Sequence, residues 1–158
     1  MKQSGRKWGV LIMLMGEFHH NLDEKGRLII PSKFRNELGE AYVITKGLDK
    51  CLFVYSITEW DKIVSKLNTL QFTKKNVRAF ERSFIGSASL NEFDKQGRIN
   101  ITSPLVHYAN IKKECVIIGV SERLEIWSKE EFESYMNDNE DNLEQITENI
   151  FDCDIYEA

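Results

Sequence analysis

The feature that most constrains the fold of this chain is a short stretch that occurs twice. NLDEKGRLIIP occupies residues 21–31, and EFDKQGRINIT occupies residues 92–102. Asp, Gly, Arg and Ile recur in the two copies at an offset of 71 residues, as from Asp23 to Asp94. Recurrence at a fixed spacing indicates a repeated structural unit.

The similarity continues beyond these stretches. CLFVYSITEW at residues 51–60 matches RLEIWSKEEF at residues 123–132, and between these anchors YVITKGL answers CVIIGVS. Each half therefore predicts the same order: strand, turn, strand, short polar segment, strand, turn, strand, helix. Two units this small would each bury too little apolar surface to be stable alone. We therefore predict one shared core with pseudo-two-fold symmetry.

Each repeated stretch predicts a hairpin with a tight turn. Gly26 and Gly97 stand where such a turn needs a residue that tolerates positive φ. Asp23 and Asp94 can accept hydrogen bonds from the turn backbone. In the first copy, the hairpin would direct Leu28 and Ile30 into the core and leave Lys25 and Arg27 free at its tip.

Helix boundaries follow from capping residues and apolar spacing. Gly39 is expected to end the helix SKFRNEL, and a hairpin is expected to turn at residues 47–50. Leu143, Ile146 and Ile150 predict a final amphipathic helix in an acidic segment. The residues predicted to cap helix N-termini are Ser32, Thr58, Thr73 and Ser128.

The distribution of charge favours a nucleic-acid partner despite a net charge of −4. Residues 129–158 contain one basic and eleven acidic residues, whereas residues 1–128 contain 20 basic and 14 acidic residues. The chain thus combines a basic body with an acidic tail. An acidic total would argue against DNA binding, but this separation of charge does not.

Composition favours a cytoplasmic globular protein. Of its 158 residues, 42% are hydrophobic, and no apolar run approaches the roughly 20 residues that span a bilayer. Cys51, Cys115 and Cys153 are far apart and odd in number, so neither a disulfide framework nor a zinc site is expected. Cys51 and Cys115 lie in apolar runs and are expected to be small buried hydrophobes.

No catalytic motif is present in the sequence. His19 and His20 are adjacent on a predicted strand, so their side chains point to opposite faces and do not form one metal site. Asp23 and Asp94 are better explained as turn residues than as a carboxylate pair. We therefore expect no catalytic residues, no metal and no cofactor.

Basic residues cluster at the repeated turns and on the short helix that follows the first. An exposed hairpin tip can enter a DNA groove, where Arg can contact guanine or phosphate and Lys adds charge. The candidate DNA contacts are Lys25, Arg27, Lys33 and Arg35 in the first copy and Lys95 and Arg98 in the second.

A purely structural interpretation of these turns is also open. Asp23 with Arg27, and Asp94 with Arg98, could form intramolecular salt bridges that hold each turn together. The pattern of one turn alone favours that interpretation. Its repetition in matched settings favours a shared function.

The stretches MGEFHHNLDEKGRLIIPSKFRNELG and LNEFDKQGRINI resemble the MraZ family of bacterial transcriptional regulators, which is associated with the division and cell wall gene cluster. The resemblance covers about residues 15–150. It implies an α+β fold of two tandem AbrB-like swapped-hairpin β-barrel units with pseudo-two-fold symmetry, plus packing helices. The family's D-x-x-x-R element corresponds here to Asp23 with Arg27 and Asp94 with Arg98.

The resemblance also implies partners and location. It implies a ring-shaped homo-oligomer that binds short direct repeats in double-stranded promoter DNA, in the cytoplasm at the nucleoid, with no membrane partner. The predicted division of the chain is an N-terminal extension (1–14), a first AbrB-like unit (15–60), a helical spacer (61–86), a second unit (87–132) and an acidic helix and tail (133–158).

The second unit departs from the family pattern. Thr102 stands where a Pro is expected, and Val106 stands where an Arg is expected, whereas the first unit keeps Pro31 and Arg35. We therefore expect the second turn to have less basic support. An alternative function remains open, because AbrB-like folds also serve as antitoxins or protein-interaction scaffolds, with the acidic tail holding a basic partner.

Overall fold

Both halves of the chain contain the same order of elements. The computed structural model describes the backbone of residues 13–157 and the side chains of residues 13–152, so most of the predicted N-terminal extension lies outside it. The first half comprises β1 (Leu14–Asn21), β2 (Arg27–Ile29), α1 (Ser32–Leu38), β3 (Ala41–Lys46), β4 (Leu52–Tyr55), α2 (Ile57–Leu67) and α3 (Lys75–Phe84). The second comprises β5 (Ser89–Glu92), β6 (Arg98–Asn100), α4 (Ser103–Tyr108), β7 (Glu114–Ser121), β8 (Arg123–Ser128), α5 (Lys129–Glu140) and α6 (Leu143–Glu157).

The strands of the two halves are interleaved. Six strands form an antiparallel sheet in the order β1-β7-β8-β4-β3-β5, and β2 and β6 form a separate two-stranded ladder. The first strand of each half thus pairs with the other half, β1 with β7 and β5 with β3. The expected local hairpin over residues 21–31 is therefore wrong, because β1 and β2 flank one turn but pair in different sheets.

The strand register reflects the repeat. In the β2–β6 ladder Leu28 lies opposite Ile99, and these two residues are themselves equivalent in the repeat. In the β4–β8 pair, Phe53 lies opposite Glu125, which are again equivalent positions. Both ladders are therefore centred on a pseudo-two-fold axis.

The main core is built from equivalent residues of both halves. Leu28 and Ile30 are fully buried, as predicted, and their counterparts Ile99 and Ile101 are 1% and 2% exposed. Burial of each such side chain stabilises the fold by about 2 kcal/mol. Tyr42 is also buried there, and its hydroxyl accepts a hydrogen bond from the backbone N–H of Asn100 at 3.0 Å.

A second, aromatic cluster attaches α2 and α3 to the first half. The Trp60 ring stacks on Phe84 with centroids 5.3 Å apart, and Phe84 stacks on Phe80 at 5.2 Å. The Thr45 hydroxyl donates a hydrogen bond to the Phe84 carbonyl at the end of α3. The predicted helix at Leu143 is confirmed as α6, but its apolar residues are exposed.

The starts of the first three helices differ from the prediction. The hydroxyl of Ser56, rather than Thr58, caps α2 by accepting the backbone N–H of Glu59 at 3.1 Å. Ser56 precedes the first helical residue and has the extended backbone that a cap requires. Helices α1 and α3 follow Pro31 and Lys74, neither of which provides a side-chain cap, so Ser32 and Thr73 are not caps.

Other local predictions are confirmed. Ser128 caps α5 by accepting the backbone N–H of Glu131, and Gly39 ends α1 with φ 98°. Cys51 and Cys115 are buried free thiols, and burial raises the pKa of Cys115 to about 11. Between residues 13 and 157, no helix is both long and apolar enough to span a membrane.

Candidate nucleic-acid interface

The two repeated turns have the same hydrogen bonds. We call residues 23–27 the first tip and residues 94–98 the second tip. In the first tip, one carboxylate oxygen of Asp23 accepts the backbone N–H groups of Lys25 and Arg27 at 2.9 and 2.8 Å. In the second, Asp94 accepts those of Gln96 and Arg98, both at 2.9 Å. Gly26 and Gly97 have φ values of +79° and +75°.

The carboxylates of Asp23 and Asp94 also accept hydrogen bonds from the side chains of Arg27 and Arg98. Nε of Arg27 donates to Asp23 at 2.8 Å, and Nε of Arg98 donates to Asp94 at 2.7 Å. Nη1 of Arg98 lies 3.7 Å from the Asp23 carboxylate, so it links the two tips. The structural interpretation of these pairs is thus correct, and the expectation that Arg27 is free at its tip is wrong. DNA contact by either arginine stays a prediction.

These hydrogen bonds stabilise the charged form of both carboxyls. The backbone N–H of Arg27 lowers the pKa of Asp23 below its ordinary 3.8, and the Arg27 guanidinium lowers it further. Arg98 lowers the pKa of Asp94 in the same way. A lowered pKa in the folded state contributes stability above pH 3.8, which is lost as the pH falls through the lowered value.

We predict that Arg27→Ala will raise the pKa of Asp23 only part of the way to 3.8. The backbone N–H, which is the largest cause of the shift, survives the substitution, whereas the guanidinium does not. Titration of the Asp carboxyl carbons by NMR measures this change, with Asp94 as the internal control. A complete return to 3.8 would show that the turn itself had opened.

The β2–β6 ladder places each tip beside the other half of the chain. The Gly26 carbonyl accepts the N–H of Ile101 at 2.7 Å, and the Gly97 carbonyl accepts the N–H of Ile30 at 3.0 Å. The tips lie at opposite ends of this short ladder. Each one consequently contacts the segment that leads into the short helix of the other half.

This exchange brings Arg35 of the first half to the second tip. Nε of Arg35 donates to the Ile30 carbonyl at 2.9 Å. The guanidinium packs so closely on Gly97 that a Cβ there would lie 2.5 Å from Nε. The expectation that the second tip has less basic support is therefore wrong: Val106, which replaces the expected Arg, lies beside the first tip.

The second tip is consequently the more basic. The charges of residues 23–27 cancel, with two acidic and two basic side chains. Residues 94–98 contain one acidic and two basic side chains, to which Arg35 adds a third positive charge. The sequence alone does not reveal this difference, because it places Arg35 next to the tip of its own half.

The predicted lysines fall into two groups. Lys25 and Lys95 are exposed, and within residues 13–152 neither ammonium has a hydrogen-bond or ion-pair partner. Lys33 instead lies beside β1, with its Nζ 5.7 Å from the centre of the Phe18 ring and 5.8 Å from that of Phe34. The structure therefore places five of the six predicted contacts on or beside the two tips and separates Lys33 from them.

We predict that Gly97→Ala and Arg35→Ala will show non-additive effects on stability. Gly97→Ala places a methyl group against the Arg35 guanidinium and in a left-handed backbone that alone costs about 1–2 kcal/mol. Removal of the arginine side chain relieves the clash, so the coupling should be about 1 kcal/mol. Urea denaturation of the single and double variants measures it. Gly26→Ala is the control: its methyl group would meet the Ile101 carbonyl at 2.7 Å, so its effect should simply add to that of Arg35→Ala.

No group of three or more His, Cys, Asp or Glu side chains within the described residues could hold a metal ion.

Two tandem matches to one protein family, described as "MraZ protein, putative antitoxin-like", cover residues 13–83 and 84–154. Their boundary falls at the end of α3, so each match spans one copy of the repeated order of elements except for the last residue of α3 or the last three residues of α6. These matches confirm the resemblance noted in the sequence, and the chain belongs to the MraZ family.

Proposed function

We propose that this protein is a sequence-specific DNA-binding transcriptional regulator whose two tips contact promoter DNA. MraZ is a regulator-type family rather than an enzymatic one. The observation that carries the proposal is the pairing of both tips around one ladder, with exposed lysines and oriented arginines on the same element. A surface of this kind can supply both attraction to phosphates and contacts to base edges.

Each part of a tip has a distinct role in this proposal. The free ammonium groups of Lys25 and Lys95 contact phosphates. Arg27 and Arg98 use Nε for the turn aspartates, and Nη1 of Arg98 also faces Asp23. Both terminal nitrogens of Arg27 and Nη2 of Arg98 are left for phosphate or guanine. Because the aspartates already fix these side chains, less conformational entropy is lost on binding.

A ring-shaped homo-oligomer would multiply these weak individual contacts. We propose that the targets are short direct repeats in the promoter of the division and cell wall gene cluster, bound in the cytoplasm at the nucleoid. Repeats spaced near one helical turn, about 10 base pairs, would present successive sites on one face of the DNA. Several tips on one assembly then gain affinity through effective concentration.

Charge supports a head-to-tail contact between subunits. The α5–α6 region, residues 129–158, has one basic and eleven acidic residues, and its α6 exposes apolar side chains, including Leu143, Ile150 and Phe151. Residues 61–86, which contain α3 and most of α2, have six basic and two acidic residues and expose Leu70 and Phe72. Two different complementary surfaces of this kind are what a closed ring requires.

We also propose that the fold is the AbrB-like swapped-hairpin barrel. The pairings of β1 with β7, β5 with β3 and β2 with β6 support it, because each joins strands from different halves. The packing of Arg35 on Gly97 of the other half is consistent with the same exchange.

A salt titration tests DNA binding. Fluorescence anisotropy with DNA from upstream of the gene should show affinity falling steeply as salt rises, with a slope near −0.9 for each phosphate contacted. A scrambled duplex of the same composition is the control for specificity. Lack of binding at low salt would favour the second candidate, a protein-interaction or antitoxin-type scaffold, which the acidic and apolar exposed surface of α6 supports.

A further inference from the structure

The two tips differ in one respect that their hydrogen bonds do not reveal. Beside the second tip, the space between the turn glycine and the neighbouring helix is filled by the Arg35 side chain. Beside the first tip, the equivalent space is a groove of about 640 Å³, which borders Gly26, Ile101 and Val106. We call it the first-tip groove.

One side chain that lines the groove is shorter than its counterpart in the other half. Val106 stands 71 residues after Arg35, at the equivalent position of the repeat, and is partly buried. Gly26 and Gly97 share their left-handed conformation, and their carbonyls accept equivalent N–H groups. The atom nearest to an added Cβ is the Ile101 carbonyl oxygen at Gly26, at 2.7 Å, and Nε of Arg35 at Gly97, at 2.5 Å. The second tip therefore indicates which group could bind to that carbonyl in the first-tip groove.

Comparison with the second tip identifies a backbone carbonyl at the first tip that could accept a hydrogen bond. At the second tip, the Ile30 carbonyl accepts Nε of Arg35. Its counterpart at the first tip is the Ile101 carbonyl, which receives no hydrogen bond from any residue between 13 and 152. A carbonyl oxygen attracts a donor and repels an anion, so the floor of the groove disfavours a phosphate.

We propose that the first-tip groove binds an arginine side chain supplied by another polypeptide chain. The guanidinium donates to the Ile101 carbonyl beside Gly26, as Arg35 donates to the equivalent Ile30 carbonyl at the second tip. Glu24 borders the groove and has no ion-pair partner within the described residues. Its carboxylate can therefore accept hydrogen bonds from the terminal nitrogens of the guanidinium. Lys25, one of the two lysines proposed to contact DNA, borders the groove, but the arginine site does not use its ammonium group.

The chemistry of the groove selects arginine over lysine. Lys25, His107 and Lys112 also border it, so net charge alone does not attract a cation. A planar guanidinium can lie on the glycine and use several donors at once, whereas an ammonium acts as a point charge. The volume is within the range of ligand pockets and leaves room for backbone on both sides of the arginine, which favours a peptide.

A titration monitored by methyl NMR tests this proposal on the full chain. The probes are three capped peptides with the sequence Gly-X-Gly, in which X is arginine, lysine or citrulline. The arginine peptide should produce saturable shifts of the Ile101, Val106 and Ile111 methyl groups, and the other two should bind at least about tenfold more weakly. Absence of saturable shifts, or equal shifts with citrulline, would overturn the proposal.

Two substitutions of Val106 test whether the arginine peptide binds in the first-tip groove. Val106→Arg supplies the missing side chain from the chain itself, so the arginine peptide should no longer shift the groove methyl groups, whereas Val106→Ala should leave its binding intact. Persistence of the shifts in a folded Val106→Arg protein would refute the assignment. Should that variant fail to fold, Glu24→Gln, at an exposed position, decides: a several-fold loss of affinity supports the site, and unchanged affinity contradicts it.

Discussion

Replacing Lys25 and Lys95 together by glutamate should reduce the affinity for promoter DNA by on the order of 100-fold at 0.1 M salt. Both ammonium groups are exposed, one on each tip, without a partner in the described part of the chain. The double substitution removes two phosphate contacts and introduces two repulsive charges. The slope of log K against log salt should become shallower by about two.

The fold should be unaffected by this change. Exposed substitutions away from caps and buried pairs usually alter stability by less than about 0.5 kcal/mol. Anisotropy at several salt concentrations measures DNA binding, and circular dichroism and gel filtration verify folding and assembly.

A control of equal charge change is Lys50→Glu with Lys129→Glu, at the β3–β4 turn and at the start of α5, where Nζ of Lys129 lies 3.9 Å from the Glu114 carboxylate. Binding that survives the tip substitutions, or an equal loss with the control pair, would contradict DNA contact by the tips.

The two tips should contribute unequally to DNA binding because they differ in charge. Arg35 supports the second tip, whose charge is the more positive. Lys95→Glu alone should therefore weaken DNA binding more than Lys25→Glu alone. The two single variants, measured under the same conditions, would show which tip contributes more.

Much of this architecture follows from local sequence signals. The repeat predicts two copies of one order of elements, and Asp23 with Gly26 predicts a turn whose hydrogen bonds are local. Alternating apolar residues predict the burial of Leu28 and Ile30. Each of these inferences needs only neighbouring residues, because a turn, a cap or a buried face is determined within a few positions.

Strand partners and long-range contacts did not follow from the same signals. The apolar pattern of β1 is satisfied equally by pairing within its own half or with β7 of the other. For this reason Arg35 was assigned to the first tip, although interleaving carries it to Gly97. Likewise, amphipathic spacing predicted α6 but not that its apolar face is uncovered, because spacing does not specify a packing partner.

The interleaving should also govern stability, and Leu28→Ala is expected to cost about 3 kcal/mol of unfolding free energy. Leu28 is fully buried at the centre of the β2–β6 ladder, opposite Ile99, so truncation leaves a cavity where the halves meet. Ile99→Ala should have a similar effect, since it removes the equivalent residue. Leu28 and Ile99 lie opposite each other, so their effects should not be additive. The loss of unfolding free energy in the double variant should differ from the sum of the two single losses.

Urea denaturation followed by tryptophan fluorescence and circular dichroism measures these losses. Trp60 and Trp127 belong to different halves, yet a core built from both halves should give one cooperative transition in every variant. Ile29→Ala is the matched control: it lies in the same strand but is 43% exposed, so its cost should stay below about 0.5 kcal/mol. Two separate transitions in the Leu28→Ala protein would show that the halves fold independently and that the ladder does not couple them.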